Sequence, residues 1–259
     1  MPVHSEARGP VLEITLDRPP ANAVDLEASL ALHTLFARLR DEPQLRVGIL
    51  TGAGERFFSA GWDLKGGEDD EPFMDFGPGG FAGLTKLFDL HKPVIAAVNG
   101  LAVGGGFELA LACDLMVAAE HAEFFLPELH MGMVPHDGGV QRLPALLPRP
   151  VAADLILTGR RMGAAEARHW GLVRSVAPSA QLLDEARALA ERLAAAGPLA
   201  MQATKQVLRG IEGMRAEDAF AAMADRRFPA YDLALASDEP REGLAAFREG
   251  RAARFEPGP

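Results

Sequence analysis

Residues 93–119 read PVIAAVNGLAVGGGFELALACDLMVAA, and the interpretation of this stretch decides the class of fold. It is apolar for long enough to cross a bilayer. It nevertheless carries Asn99, Glu108, Asp114 and the run Gly104-Gly105-Gly106. Unpaired carboxylates are costly at mid-membrane, and three glycines weaken a helix there. A globular reading accounts for every residue: a buried strand over 94–98, a glycine turn, a helix beginning near Phe107, and a second strand.

The neighbouring segments extend that reading. Leu12, Ile14 and Leu16 alternate with Glu13, Thr15 and Asp17, the period of a half-buried strand, which Arg18-Pro19-Pro20 ends. Asp25 is placed to cap a helix whose apolar face is Leu32, Leu35, Phe36 and Leu39, before Pro43. Val47 to Leu50 forms another short buried strand. Gly66 to Gly83, rich in glycine and acid, is expected to be a mobile loop. From Ser179 onward helix dominates: Leu182, Ala186, Leu189 and Leu193 keep helical spacing, and Gly197-Pro198 separates them from a further helix. Strands alternating with helices predict an α/β core over 1–198, followed by a helical region over 199–259.

The chain has 259 residues, enough for one sizeable core, with 48% hydrophobic and 24% charged residues. Its net charge of −10 argues against nucleic-acid binding, which relies on basic patches. The single cysteine, Cys113, forms no intramolecular disulfide, and no basic-then-apolar leader opens the sequence, so a cytoplasmic location is expected. Seven histidines without paired spacing, and one cysteine, predict no metal site.

Two features carry chemistry. A side-chain-free turn ahead of a helix lets a ligand approach the backbone, and the helix N-terminus offers unpaired N–H groups to a developing oxyanion. Close packing of helix on strand would need the same glycines. Glu108 has Leu111, Ala112 and Leu115 at i+3, i+4 and i+7, and Glu128 stands between Phe124-Phe125-Leu126-Pro127 and Leu129. Carboxyls in apolar company have raised pKa values and exchange protons near neutrality. The plainer alternative is that either one caps a helix or pairs with Arg142.

Phe58-Ser59-Ala60-Gly61-Trp62-Asp63-Leu64-Lys65, Lys92 to Gly100 and Gly104 to Ala110, followed by Pro127-Glu128, Gly138-Gly139, Gln141-Arg142-Leu143 and Thr158-Gly159-Arg160, resemble the enoyl-CoA hydratase (crotonase) superfamily. The likeness runs from about Val11 to the C-terminus. Pro20-Ala21-Asn22-Ala23, the tryptophan at 62 and the variable stretch Asp75 to Thr85 resemble its branch that hydrates crotonobetainyl-CoA; a general short-chain enoyl-CoA hydratase or isomerase is the alternative.

The resemblance implies an α/β spiral of ββα units with a C-terminal helical trimerisation region, assembled as a homotrimer or a dimer of trimers. It implies a lyase acting on an acyl-CoA thioester without a separate cofactor, coenzyme A entering as part of the substrate. Glu108 and Glu128 would be the acid/base pair, and the amides of Trp62 and Gly105 the oxyanion hole. Ala60, Lys65 and Arg18 are the candidate contacts for coenzyme A. Relatives commonly carry a lysine where this chain has Pro20, so either coenzyme A binding is weaker here or Arg18 or Arg56 substitutes. A trimethylammonium group on the acyl chain would suit aromatic faces. Trp62, Phe73, Phe76, Phe81, Phe107 and Phe125 are candidates, although core packing explains any one of them, and Asp75 is a candidate counter-charge. His136 and Asp137 stand where the family has small residues, either touching substrate or shaping a turn.

Overall fold

The computed structural model describes residues 2–64 and 75–256. The expected mobile loop therefore lies partly outside the described residues, as do Lys65 and Phe73.

In chain order the first half comprises β1 (Val3–Arg8), β2 (Val11–Leu16), β3 (Ala23–Val24), α1 (Leu26–Asp41), β4 (Val47–Gly52), β5 (Phe57–Ser59), β6 (Gly61–Trp62), β7 (Val94–Val98), β8 (Leu101–Val103), α2 (Gly105–Ala112), β9 (Leu115–Ala119) and β10 (Glu123–Phe125). The second half comprises α3 (Gly139–Leu146), α4 (Arg149–Thr158), β11 (Met162–Gly163), α5 (Ala164–His169), β12 (Ser175–Ala177), α6 (Leu182–Ala194), α7 (Pro198–Gly210), α8 (Ala216–Ala224), α9 (Pro229–Ala236) and α10 (Glu239–Glu249). Single 3₁₀ turns occur at Phe81–Gly83, Glu128–Met131 and Ser179–Gln181.

Among the described residues, one sheet runs β1-β2-β4-β7-β9-β12, parallel except for the antiparallel β1–β2 pair. A second runs β11-β10-β8-β5, with β10, β8 and β5 parallel, and β3 pairs with β6 alone. This is the α/β architecture expected from the alternating pattern. The apolar runs of β4 and β7 lack polar alternation because both of their faces are covered. Val47, Ile49, Ile95 and Ala97 face Leu182, Ala186, Leu189 and Ala190 of α6, whereas Leu50, Val94, Ala96 and Val98 join the larger core with α1.

Asp25 caps α1 as expected, accepting from Ala28 N at 2.8 Å, and Leu32, Phe36 and Leu39 are buried. The helix α7 is tied to the main sheet. Lys205 Nζ donates to Lys92 O at 2.7 Å and to Asp114 Oδ2 at 2.6 Å, and Asp114 Oδ2 also accepts from Val94 N. Glu239 then caps α7, its carboxylate accepting from the amides of Leu199 and Ala200.

Three expectations need correction. The α2 helix starts at Gly105 rather than near Phe107, so two of the three glycines belong to its first turn. It ends at Ala112, so Leu115 lies on β9 and not on the stripe of Glu108. The stretch from Phe76 to Gly83 is packed, not a free loop. Phe76 and Phe81 are buried edge-to-face with ring centroids 5.0 Å apart, and Ser29 Oγ donates toward the carbonyls of Phe76 and Gly80 at 3.2 Å each. Glycine-rich composition hides two aromatic anchors whose burial outweighs the conformational freedom of the glycines between them.

Candidate active site

The triple-glycine turn is built to bring backbones into contact. Gly104 takes φ +53°, and a β-carbon on it would stand 2.6 Å from Glu128 Oε1. One on Gly105 would meet the Phe81 ring at 2.8 Å, and one on Gly106 the Ser59 carbonyl oxygen at 2.2 Å. Each glycine therefore yields to a different neighbour. Gly61, at φ +83°, repeats this from the facing strand, since its β-carbon would stand 2.9 Å from Gly105 N.

This approach juxtaposes two amides. Gly105 is the first residue of α2, where an N–H has no intrahelical acceptor. On the neighbouring strand Asp63 N donates to Val24 O at 3.0 Å, and Val24 is paired with Trp62. Alternate residues of a parallel strand turn their amides to opposite sides, so the Trp62 N–H points away from β3. The two donors lie on adjoining backbones beside one cavity, whose lining includes Trp62, Gly105, Glu108 and Glu128.

Glu108 and Glu128 are 3% and 9% exposed, which decides their chemistry. Burial pushes the Glu108 carboxyl up to about 8; the Gly139 amide, donating to Oε1 at 2.9 Å, opposes the rise, and the negative charges of Glu128 and Asp137 add to it. Burial likewise lifts Glu128 to about 7, and its Oε2 has no hydrogen-bond partner among the described residues. Neither glutamate pairs with Arg142, whose guanidinium donates to the carbonyls of Thr85 and Asp137. Because the two acids interact, their protons leave as a coupled pair. Burial thus brings both carboxyls into the range where a proton is given and taken around neutrality.

Both folded-state values lie above the unfolded one, so the fold favours the protonated forms. The associated stability is complete below about pH 4.5 and is lost as pH rises through about 7 to 8. Glu108→Gln, neutral at every pH, is expected to gain thermal stability over the parent on going from about pH 5 to about pH 8.5, by roughly 4 kcal/mol. Equal melting shifts at both pH values would contradict the raised carboxyl.

The remaining sequence expectations separate. Ala60, Phe76 and Phe81 line the cavity. Phe107 does not: successive helical residues diverge by roughly 100°, and Phe107 packs fully buried against Phe124, ring centroids 5.3 Å apart. Phe125 lies under the Arg161 guanidinium at 4.7 Å. Arg18 is already spent on protein carboxylates, donating to Asp25 Oδ2 and Asp63 Oδ2 at 2.5 Å each and to Ala23 O. A phosphate would have to compete with two anions for it. The Arg56 guanidinium stacks over Phe57.

Sequence reasoning missed the Gly139 amide as the partner of Glu108. The Gly138-Gly139 pair at the start of α3 is its signal, because it marks a helix N-terminus with free donors. It also left His136 and Asp137 undecided, and both line the cavity. Among the described residues no group of three or more His, Cys, Asp or Glu side chains is placed to hold a metal ion. Nor is any helix there long and apolar enough to cross a membrane.

Residues 6–258 match the family model described as enoyl-CoA hydratase/isomerase. The chain is 54% identical over 244 residues to the carnitinyl-CoA dehydratase of Salmonella arizonae, covering 94% of each protein. With the carnitinyl-CoA dehydratase of Salmonella typhi it shares 52% over 251 residues, 96% of each. Among solved structures it superposes on an enoyl-CoA hydratase from Mycobacterium tuberculosis H37Rv with a TM-score of 0.91 at 39% identity, covering 99% of both chains. For the enoyl-CoA hydratase of Bacillus anthracis the TM-score is 0.87 at 34% identity, over 100% of both.

Proposed function

Since the chain belongs to the enoyl-CoA hydratase/isomerase family, with the crotonase fold of its structural neighbours, we propose that it interconverts carnitinyl-CoA and crotonobetainyl-CoA by removing and adding water. The observation that carries this reading is the pair of buried glutamates flanking one cavity beside the free amide at the start of α2. The names and identities of the Salmonella relatives support the substrate, as do Trp62, Phe76 and Phe81 on the cavity wall.

In dehydration the thioester oxygen accepts from the amides of Trp62 and Gly105. Glu128 takes the proton from Cα, and the electron pair moves onto that oxygen as an enolate. Collapse of the enolate expels the hydroxyl from Cβ, and Glu108 supplies the proton that makes it water. Hydration runs these steps in reverse, with Glu108 taking the proton of the attacking water and Glu128 protonating Cα. Two carboxyls raised toward neutrality can serve both directions. The scheme uses no metal and no cofactor beyond the coenzyme A of the substrate.

We place the coenzyme A thioester end beside Ala60, keep Lys65 as the candidate cation for the coenzyme A phosphates, and have Arg18 serve by anchoring Asp63 rather than by meeting phosphate. The helical region 199–259 is the proposed trimer-forming surface, supported by the exposed Phe220, Leu233, Leu235, Leu244 and Phe247 on α8 to α10. A cytoplasmic location agrees with the single, unpaired Cys113.

The deciding experiment compares kcat/KM for crotonobetainyl-CoA and crotonyl-CoA with the purified enzyme. A preference of about tenfold or more for the cationic substrate is expected. A preference for crotonyl-CoA would make the chain a short-chain enoyl-CoA hydratase instead.

A further inference from the structure

We propose that the Asp137 carboxylate is the counter-charge that selects a cationic acyl group, an inference that rests on the cationic-substrate reading above. Asp137 lies between the Glu128–Met131 turn and α3, is 9% exposed, and lines the same cavity as Trp62, Phe76, Phe81 and the two glutamates. Among the described residues its ion-pair partners are loosely held. Lys86 Nζ is 3.8 Å from Oδ1 and His136 Nε2 is 3.6 Å from Oδ2, beyond hydrogen-bonding distance. Arg142, the neighbouring guanidinium, donates to the Asp137 main-chain carbonyl at 3.4 Å rather than to its carboxylate.

A buried carboxylate whose ion pairs are this long and carry no hydrogen bond is only loosely compensated, and a cationic ligand brought into the cavity adds to that compensation. The match to a quaternary ammonium is chemical. Such a group has no N–H to donate, so a tight, directional ion pair offers it nothing. It is held by aromatic faces and a carboxylate at van der Waals range. In crotonobetainyl-CoA the trimethylammonium sits on the carbon next to Cβ, so its counter-charge must lie in the reaction cavity itself. The negative charge of Asp137 already acts on Glu108, the acid assigned to Cβ, so the two side chains share one neighbourhood.

That proximity means Asp137→Asn also alters Glu108, so a single rate would mislead. The test is a ratio: kcat/KM for crotonobetainyl-CoA divided by kcat/KM for 5,5-dimethylhex-2-enoyl-CoA, which replaces the ammonium nitrogen with carbon. Effects on Glu108 cancel between substrates of equal shape. Asp137→Asn is expected to lower the ratio roughly 30-fold, and Asp137→Glu to restore part of it. Should the asparagine disturb the turn, Asp137→Ser, smaller and neutral, gives the same reading. A parent enzyme with no preference between the two substrates would overturn the cationic-substrate reading and this assignment with it. A parent that prefers the cation, with neutral variants that keep the preference, would overturn the role of Asp137 alone.

Discussion

Glu108→Gln is expected to lower kcat by about 10³-fold, and Glu128→Gln by a similar factor, with the affinity for a non-reacting acyl-CoA within about threefold of the parent. Glutamine keeps the size and an acceptor oxygen, so the Gly139 amide retains its partner at position 108. What disappears is a proton that can be given and taken. Because the two acids act on one substrate in one cycle, the double variant should be little worse than either single one. Isothermal titration with a saturated acyl-CoA, beside steady-state hydration rates, separates chemistry from binding. A single glutamine variant with parental kcat would remove that residue from the mechanism.

Gly106→Ala is the second large effect, and it works through the backbone. The added methyl would stand 2.2 Å from the Ser59 carbonyl oxygen and 2.8 Å from its carbonyl carbon. Ser59 has little freedom to retreat, since its hydroxyl donates to Asn22 O at 2.7 Å and accepts from Gly61 N. The N-terminus of α2 must therefore lift away from β5 and β6, separating the amides of Gly105 and Trp62. We expect a loss of about 1–3 kcal/mol of stability. The fall in kcat/KM should be about 10²-fold, the usual consequence of losing one donor to an oxyanion. Gly243→Ala in α10 is the control: a β-carbon there meets nothing within 4 Å, and alanine favours helix, so melting should rise or stay level. A Gly106→Ala protein with parental melting and activity would show that the close approach of α2 to Ser59 is dispensable.

Much of the scaffold was legible because local pattern and tertiary demand agree. The alternation at Leu12, Ile14 and Leu16, the cap at Asp25 and the uninterrupted apolar run of β7 each report the burial of their own segment. The misjudged segments were those whose fate depends on distant partners. Phe76 and Phe81 look like members of a glycine-rich loop until α1, some fifty residues earlier, is laid beneath them. Phe107 and Phe81 are equally aromatic on paper, and only the neighbours of each ring decide that one packs in the core and the other faces the cavity. Arg18 offers a cation to any phosphate until Asp63, forty-five residues away, claims it.

The sequence by itself determined the class of fold, the glycine turn at the head of α2 and the identity of two carboxyls in apolar surroundings. Only the tertiary structure decided that these carboxyls share a cavity, that the α3 amide of Gly139 holds one of them, and that Asp137 joins them. Periodicity records which side of its own element a residue occupies. It cannot record what stands opposite, because that is set by strand order and helix packing between segments far apart in the chain.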